Sequence, residues 1–184
     1  MKYRVNSRVI VFCGLLILAA SPALGLEQWD WLGLSDWGMR SVAIAPGDSQ
    51  TIIAGGTHLS ASVNGGSPWT TYTDINEVWC TAFGSNRNLA FAGTWGGGVY
   101  KSIDGCSTWN QSNAGLANWG IKGICVDPTS DLVVYACAED GLHKSIDGGG
   151  NWSMVKPGVN ASTVVVSRLN HRARRAARRR HALQ

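Results

Sequence analysis

Along the middle of the chain, apolar residues fall in short blocks or alternate with polar ones, a period of two that predicts strands half-buried in sheets. Ile52-Ile53-Ala54-Gly55, Ala90-Phe91-Ala92-Gly93 and Val134-Tyr135-Ala136-Cys137 share one register, and Pro46, Gly84 and Pro128 each stand eight residues ahead of the shared alanine. An earlier strand repeats as well: Val42 and Ile44 match Cys80 and Ala82, then Ile124 and Val126, as alternating positions on one face. Trp37-Gly38 finds its counterpart in Trp119-Gly120.

Downstream of each block three segments align without a gap: Ser62-Val63-Asn64-Gly65-Gly66-Ser67-Pro68-Trp69, Ser102-Ile103-Asp104-Gly105-Cys106-Ser107-Thr108-Trp109 and Ser145-Ile146-Asp147-Gly148-Gly149-Gly150-Asn151-Trp152. Their starts lie 40 and 43 residues apart. Each unit therefore predicts strand, turn, strand, longer loop, strand, tight turn, strand, within the span of one four-stranded propeller blade. The expected fold is all-β, an incomplete β-propeller of about three four-stranded blades. They fall at about 37–72, 75–112 and 119–155, with the start of a fourth at 163–167.

The repeated segment has a structural chemistry. A short carboxylate or amide at Asn64, Asp104 and Asp147 can accept hydrogen bonds from the backbone N–H groups of the following turn. Gly65, Gly105 and Gly148, with Gly66 and Gly149 behind them, supply the positive φ of a tight hairpin. The hydroxyls of Ser62, Ser102 and Ser145 can bond the carboxylate or backbone, and Trp69, Trp109 and Trp152 plug their rings against the sheet.

These segments resemble Asp-boxes, the S-x-D-x-G-x-T-W repeat also called the BNR repeat, carried on β-propellers by sialidases, xyloglucanase-type glycoside hydrolases, the sortilin ectodomain and the photosystem II assembly factors. The resemblance covers about Trp37 to Ser167 and departs from the pattern at Asn64, Pro68, Cys106 and Asn151. In those families the box lies on the outer strands away from the substrate face, so the resemblance implies a fold and not an activity for Ser62, Asn64, Gly66, Asp104, Asp147 and Gly149.

No residue is singled out as catalytic, and neither a metal nor a cofactor is expected. A sialidase-like site needs three converging arginines, and the stretch from Leu26 to Ser167 holds only Arg40 and Arg87. A glycosidase needs two carboxylates across a sugar cleft; Asp30, Asp36, Asp74, Glu77, Glu139 and Asp140 are available, with no spacing that marks a pair. Asp36 stands out because Trp29, Trp31 and Trp37 surround it. Of the nine tryptophans, three belong to the boxes, and Trp37 and Trp119 recur in register and are expected to pack within blades. Trp29, Trp31, Trp79 and Trp95 remain, and Trp95, Trp31 and Asp36 are the candidate ligand-facing residues. His58 and His143 look isolated, and no G-x-S-x-G elbow is present.

The ends differ from the middle. Met1 to Gly25 has a basic start, an apolar run from Val9 to Ala20 and small residues before Gly25, which predicts a cleaved signal peptide over 1–25 and a secreted, periplasmic or envelope location. The run is short of the roughly 20 residues that span a bilayer, so no stable membrane span is expected after cleavage. Arg168 to Gln184 carries seven arginines and no acid, read as a non-native or disordered tail over 168–184 that interrupts a fourth blade, or alternatively as a basic binding tail. Between these ends six basic residues face twelve acids, a charge of −6, which does not suit a nucleic-acid partner. Cys80, Cys106, Cys125 and Cys137 lack C-x-x-C spacing, arguing against zinc and leaving bridges and free thiols both open.

The expected function is an exported, non-catalytic propeller module that scaffolds or binds protein or glycan, and open blade edges invite self-association. The alternative is a fragment of a carbohydrate-active hydrolase, xyloglucanase-like or sialidase-like, without its active site.

Overall fold

The computed structural model describes residues 38–167, and within them the chain is all-β with no helix. The expected signal peptide over 1–25, the basic tail over 168–184, and Trp29, Trp31, Asp36 and Trp37 lie outside the described residues. Three four-stranded antiparallel sheets follow one another in chain order. The first holds β1 (Ser41–Ala45), β2 (Asp48–Gly55), β3 (His58–Ser62) and β4 (Thr70–Asn76). The second holds β5 (Val78–Phe83), β6 (Ala90–Thr94), β7 (Gly98–Ser102) and β8 (Asn110–Gln111). The third holds β9 (Ile121–Asp127), β10 (Ser130–Ala138), β11 (Gly141–Ser145) and β12 (Ser153–Pro157).

In each sheet spatial order equals chain order, so the connections alternate between its two ends. The first-to-second and third-to-fourth turns emerge at one end; the second-to-third turns and the links to the next sheet emerge at the other. The loop lengths reverse the expectation from sequence. Second and third strands are joined by two or three residues, whereas the repeated segment opens into seven-residue turns at 63–69, 103–109 and 146–152. Each seven-residue turn is tied to the start of the second strand of its own sheet, or to the turn just before it, through one backbone bond: Gly65 N–H to Gln50 O (2.8 Å), Gly105 to Asn88 (3.3 Å) and Gly148 to Leu132 (2.8 Å).

Ile52, Ala90 and Val134 sit opposite Ser62, Ser102 and Ser145, which fixes the equivalence of the three sheets. Ile53, Phe91 and Tyr135 then pair with Ala43, Ala82 and Cys125. Val42 and Ile44 therefore correspond to Thr81 and Phe83, and to Ile124 and Val126, not to Cys80 and Ala82. A one-residue shift puts a side chain on the opposite face, and Cys80-Thr81-Ala82-Phe83 is too uniformly apolar or small to reveal which alternate pair is in register.

The core lies between the sheets. Ile53 and Ala61 of the first pack on Ala90 and Cys106 of the second, with Tyr72 and Trp109 closing the seam. Phe91 and Val99 of the second pack on Ile121, Ile124, Val126, Val134, Ala136 and Trp152 of the third. The leading strands β1, β5 and β9 run side by side. Ser41 Oγ and Thr81 Oγ1 lie 2.8 Å apart, and Cys80 Sγ lies 3.9 Å from Ile121 O. Gly55 abuts Val78 and Gly93 abuts Ile121; Thr163 abuts Gly123 and Cys137 in the same manner, in a segment that joins no ladder among the described residues. All four cysteines in the described residues are free thiols. Burial pushes Cys80 and Cys106 up to about 12, which keeps them protonated and unreactive.

Candidate functional site

The hairpin end of the sheets is a closed hydrogen-bond system. Ser102 Oγ donates to Asp104 Oδ1 (2.8 Å) and accepts from Cys106 N–H (3.0 Å); Ser145 Oγ donates to Asp147 Oδ1 (2.7 Å) and accepts from Gly149 N–H (2.8 Å). Asp104 also accepts from the N–H and hydroxyl of Thr108 (3.0 and 2.6 Å), and Asp147 from the N–H and side-chain amide of Asn151 (2.9 and 2.8 Å). In the first hairpin Ser62 Oγ accepts from Gly66 N–H (3.0 Å), but Pro68 stands where Thr108 and Asn151 donate and has no N–H to give Asn64. Trp152 seals its hairpin by donating Nε1–H to Ser112 O (2.7 Å), and Trp109 sets its ring edge-on to Tyr72. Trp69 is half-buried. The donors that reach the two carboxylates all come from their own hairpins.

These bonds depress both acids. Asp104 is held at about 2, first by the Thr108 hydroxyl and then by its N–H, and Asp147 lies well below the ordinary range through the Asn151 side chain and N–H. A depressed carboxylate contributes stability above its unfolded value of about 4, which is lost as pH falls through the folded value. The expected outcome is a melting temperature level above about pH 5 that drops toward pH 2. In Asp104→Asn/Asp147→Asn that acid limb flattens, as thermal melts monitored by tryptophan fluorescence across pH will check.

The opposite end carries a row of two stacked aromatic rings with a cation at each end. Arg40 lies 4.6 Å above Trp79; Trp79 stacks on Trp95 with centroids 5.0 Å apart and planes 25° from parallel; Lys122 lies 5.5 Å from the outer face of Trp95. Arg40, Trp79 and Lys122 occupy one register position in successive sheets, each just before the residues Ser41, Cys80 and Gly123 that pair with Gly55, Gly93 and Cys137. Trp95, from the β6–β7 turn, slots between them. Each cation has an acid: Arg40 Nη1 meets Glu77 Oε2 at 2.8 Å, and Lys122 Nζ meets Glu139 Oε1 at 3.6 Å and Asn160 Oδ1 at 2.9 Å.

Backbone bonds stitch this surface together. Trp95 N–H donates to Glu77 O, and Gly96 and Gly98 N–H both donate to Trp119 O (2.9, 3.1 and 3.0 Å). Trp119, expected to pack inside a blade, is instead 47% exposed beside Trp95, which is 43% exposed. The β9 leader turns outward here, and Asn118 Oδ1 accepts from Gly120 N–H (2.8 Å) to hold the turn. Trp79 and Trp95 have ring faces covered by each other and by cations, whereas Trp119 has no ring or cation stacked on it among the described residues. Of the candidate ligand-facing residues Trp95 does reach this surface, and Trp31 and Asp36 lie outside the described residues. Sequence reasoning also missed a pair on this side: His143 is not isolated, since Nε2 lies 2.9 Å from Asp140 Oδ1, while His143 Nδ1 and Asp140 Oδ2 are buried without a partner. An acid three residues before a histidine across a two-residue turn was the available signal.

No family model matches the chain. It is 30% identical over 162 residues to a probable oligoxyloglucan-reducing end-specific xyloglucanase of Neosartorya fischeri, an alignment covering 71% of this chain and 20% of that protein. The chain thus spans about a fifth of the curated relative. Among solved structures, an ancestral GH74 enzyme superposes with a TM-score of 0.62 at 21% identity, covering 84% of this chain and 24% of that one. A structure described as YCF48 bound to D1 peptide gives a TM-score of 0.52 at 16% identity, covering 63% and 39%. The three sheets are β-propeller blades. The hairpin end and the Trp119 end are then opposite faces of the propeller, and the two central arginines are separated between them: Arg87 reaches Asp48 (3.4 Å) on the hairpin face, Arg40 lies on the other. Among the described residues no cluster of arginines converges on one site.

Proposed function

We propose that this chain is part of an exported propeller of xyloglucanase-like descent and that the face carrying Trp119, Trp95 and Glu77 binds a neutral glycan. The observation that carries the proposal is Trp119, a large ring half open to solvent on the face of the inter-blade links. An aromatic face stacks on the apolar C–H face of a sugar, and Asn118, Glu139 and Asn160 nearby supply the few polar groups that orient such a ligand. Identity to a xyloglucanase over most of the chain supports a glucan backbone as the ligand class. The pairing of Arg40 with Glu77 and of Lys122 with Glu139 supports a neutral sugar over an acidic one. The signal peptide read over 1–25 supports a location outside the cytoplasm, and the serine–aspartate hairpins are read as Asp-boxes serving the fold.

In this proposal the module binds without turnover, a reading supported by Glu77 and Glu139 each being tied to a cation and Asp140 to His143. The test is calorimetric titration with a xyloglucan oligosaccharide alongside an assay for released reducing ends. Binding that weakens by about tenfold or more in Trp119→Ala, without hydrolysis, is the expected result. Hydrolysis by the purified chain overturns the non-catalytic part, and equal binding by Trp119→Ala overturns the site. A scaffold for protein is the second reading, favoured by the peptide-bound propeller among the structural neighbours.

A further inference from the structure

We infer that Glu77 is a binding residue of this face, a carboxylate that accepts hydroxyl hydrogens from a glycan seated on Trp119; this rests on the glycan-binding proposal above. Glu77 has a backbone φ of 50°, in the left-handed region that disfavours side chains. The equivalent position of the first blade is Gly38, at φ 92°; that of the third is Gly120, whose backbone stays outside the left-handed region. The first blade thus meets this left-handed conformation with a glycine, and a glutamate there carries backbone strain.

Among the described residues the side chain contributes little to the fold in return. Its one ion pair among the described residues, to Arg40, is exposed on both sides, with Glu77 at 48%, and exposed pairs contribute little to stability. The backbone bonds at this turn, Glu77 N–H to Thr57 O and Trp95 N–H to Glu77 O, do not involve the side chain and survive in glycine. What the side chain does gain is position. The chain of bonds from Glu77 to Trp95 and from Gly96 to Trp119 sets the carboxylate on the same rim as the open ring, toward the boundary of the first and second blades. Arg40, laid flat on Trp79, fixes the carboxylate from behind. A carboxylate held this way is an acceptor-only group suited to a vicinal diol. A ligand extending from Trp119 across the edge of Trp95 meets it next.

The experiment compares the full chain with Glu77→Gly and Glu77→Gln by calorimetric titration with a xyloglucan oligosaccharide and by thermal melting, with Trp119→Ala as the reference for the site. We expect Glu77→Gly to melt at the same or a higher temperature and to bind about tenfold more weakly. Glu77→Gln keeps the strain and the size, so its melting stays the same while its affinity falls. Binding unchanged in both variants overturns the inference, and a lowered melting temperature with unchanged binding makes Glu77 an inter-blade clamp. If the chain binds no oligosaccharide, the glycan proposal fails and takes this inference with it. If Trp119→Ala weakens binding and neither Glu77 variant does, the proposal stands and this inference alone is lost.

Discussion

Phe91→Ala should lower the unfolding free energy by about 3–5 kcal/mol, the range for removing a fully buried aromatic side chain. Phe91 has no exposed surface, and its ring crosses from the second blade into the third. There it belongs to the core cluster of Ile121, Ile124, Val126, Val134, Ala136 and Trp152. It also presses on Gly149, where an added Cβ would come 2.8 Å from Phe91 Cε1, and Gly149 itself sits at φ 88°. Truncating the ring leaves a void between two rigid sheets that are each held by ladders, so the walls have little freedom to collapse onto it. Urea denaturation followed by tryptophan fluorescence is the check. A fall in midpoint at unchanged slope is expected, and a loss below about 1 kcal/mol would mean that this seam is not the close-packed one described.

The second prediction uses the repeat as its own control. At the seam between the first and second blades Ile53 stands where Phe91 stands, and Cys106 where Gly149 stands. The smaller Ile53 leaves room for the buried Cys106 thiol, whose backbone takes the glycine-like φ of 70°. Ile53→Phe alone should overpack the seam and cost about 1–3 kcal/mol. Cys106→Gly relieves strain while opening a small gap, so alone it should change little. Together they rebuild the Phe91–Gly149 arrangement, and the double variant should recover most of the loss, a coupling of about 0.5–3 kcal/mol. A double-mutant cycle by urea denaturation reads it, and simple additivity would mean that the two seams are not equivalent.

Much of this architecture is legible in the chain itself because a repeat specifies its own register. Three copies of serine, acid or amide, glycine and tryptophan at near-constant spacing fix the number of units and the place of each hairpin, and in the second and third hairpins the serine and the acid bond each other within eight residues. Local bonds of that kind depend on sequence separation alone. The register of β5 was not legible, since Cys80-Thr81-Ala82-Phe83 offers no clear alternation and only pairing with β6 chooses its faces. The loop lengths were misjudged for a related reason: strand ends are set by where ladder bonds stop and not by where turn residues cluster.

The candidate site divides along the same line. Trp95 could be picked out because it stands in a glycine-rich turn, and Glu77 could have been, by its place opposite Gly38 in the repeat. Trp119 could not, because recurrence in register signals burial as readily as exposure, and its ring opens to solvent only through the way the third blade docks on the second. The sequence by itself determined the strands, the repeat and the self-contained hairpins, all matters of neighbours within one blade. The tertiary structure decided which faces pack, which rings cover one another and that Arg40, Trp79, Trp95 and Lys122 form one row, because those contacts join residues 16 to 39 positions apart, across the second sheet and across both of its boundaries, that only the pairing of strands and the stacking of blades bring together.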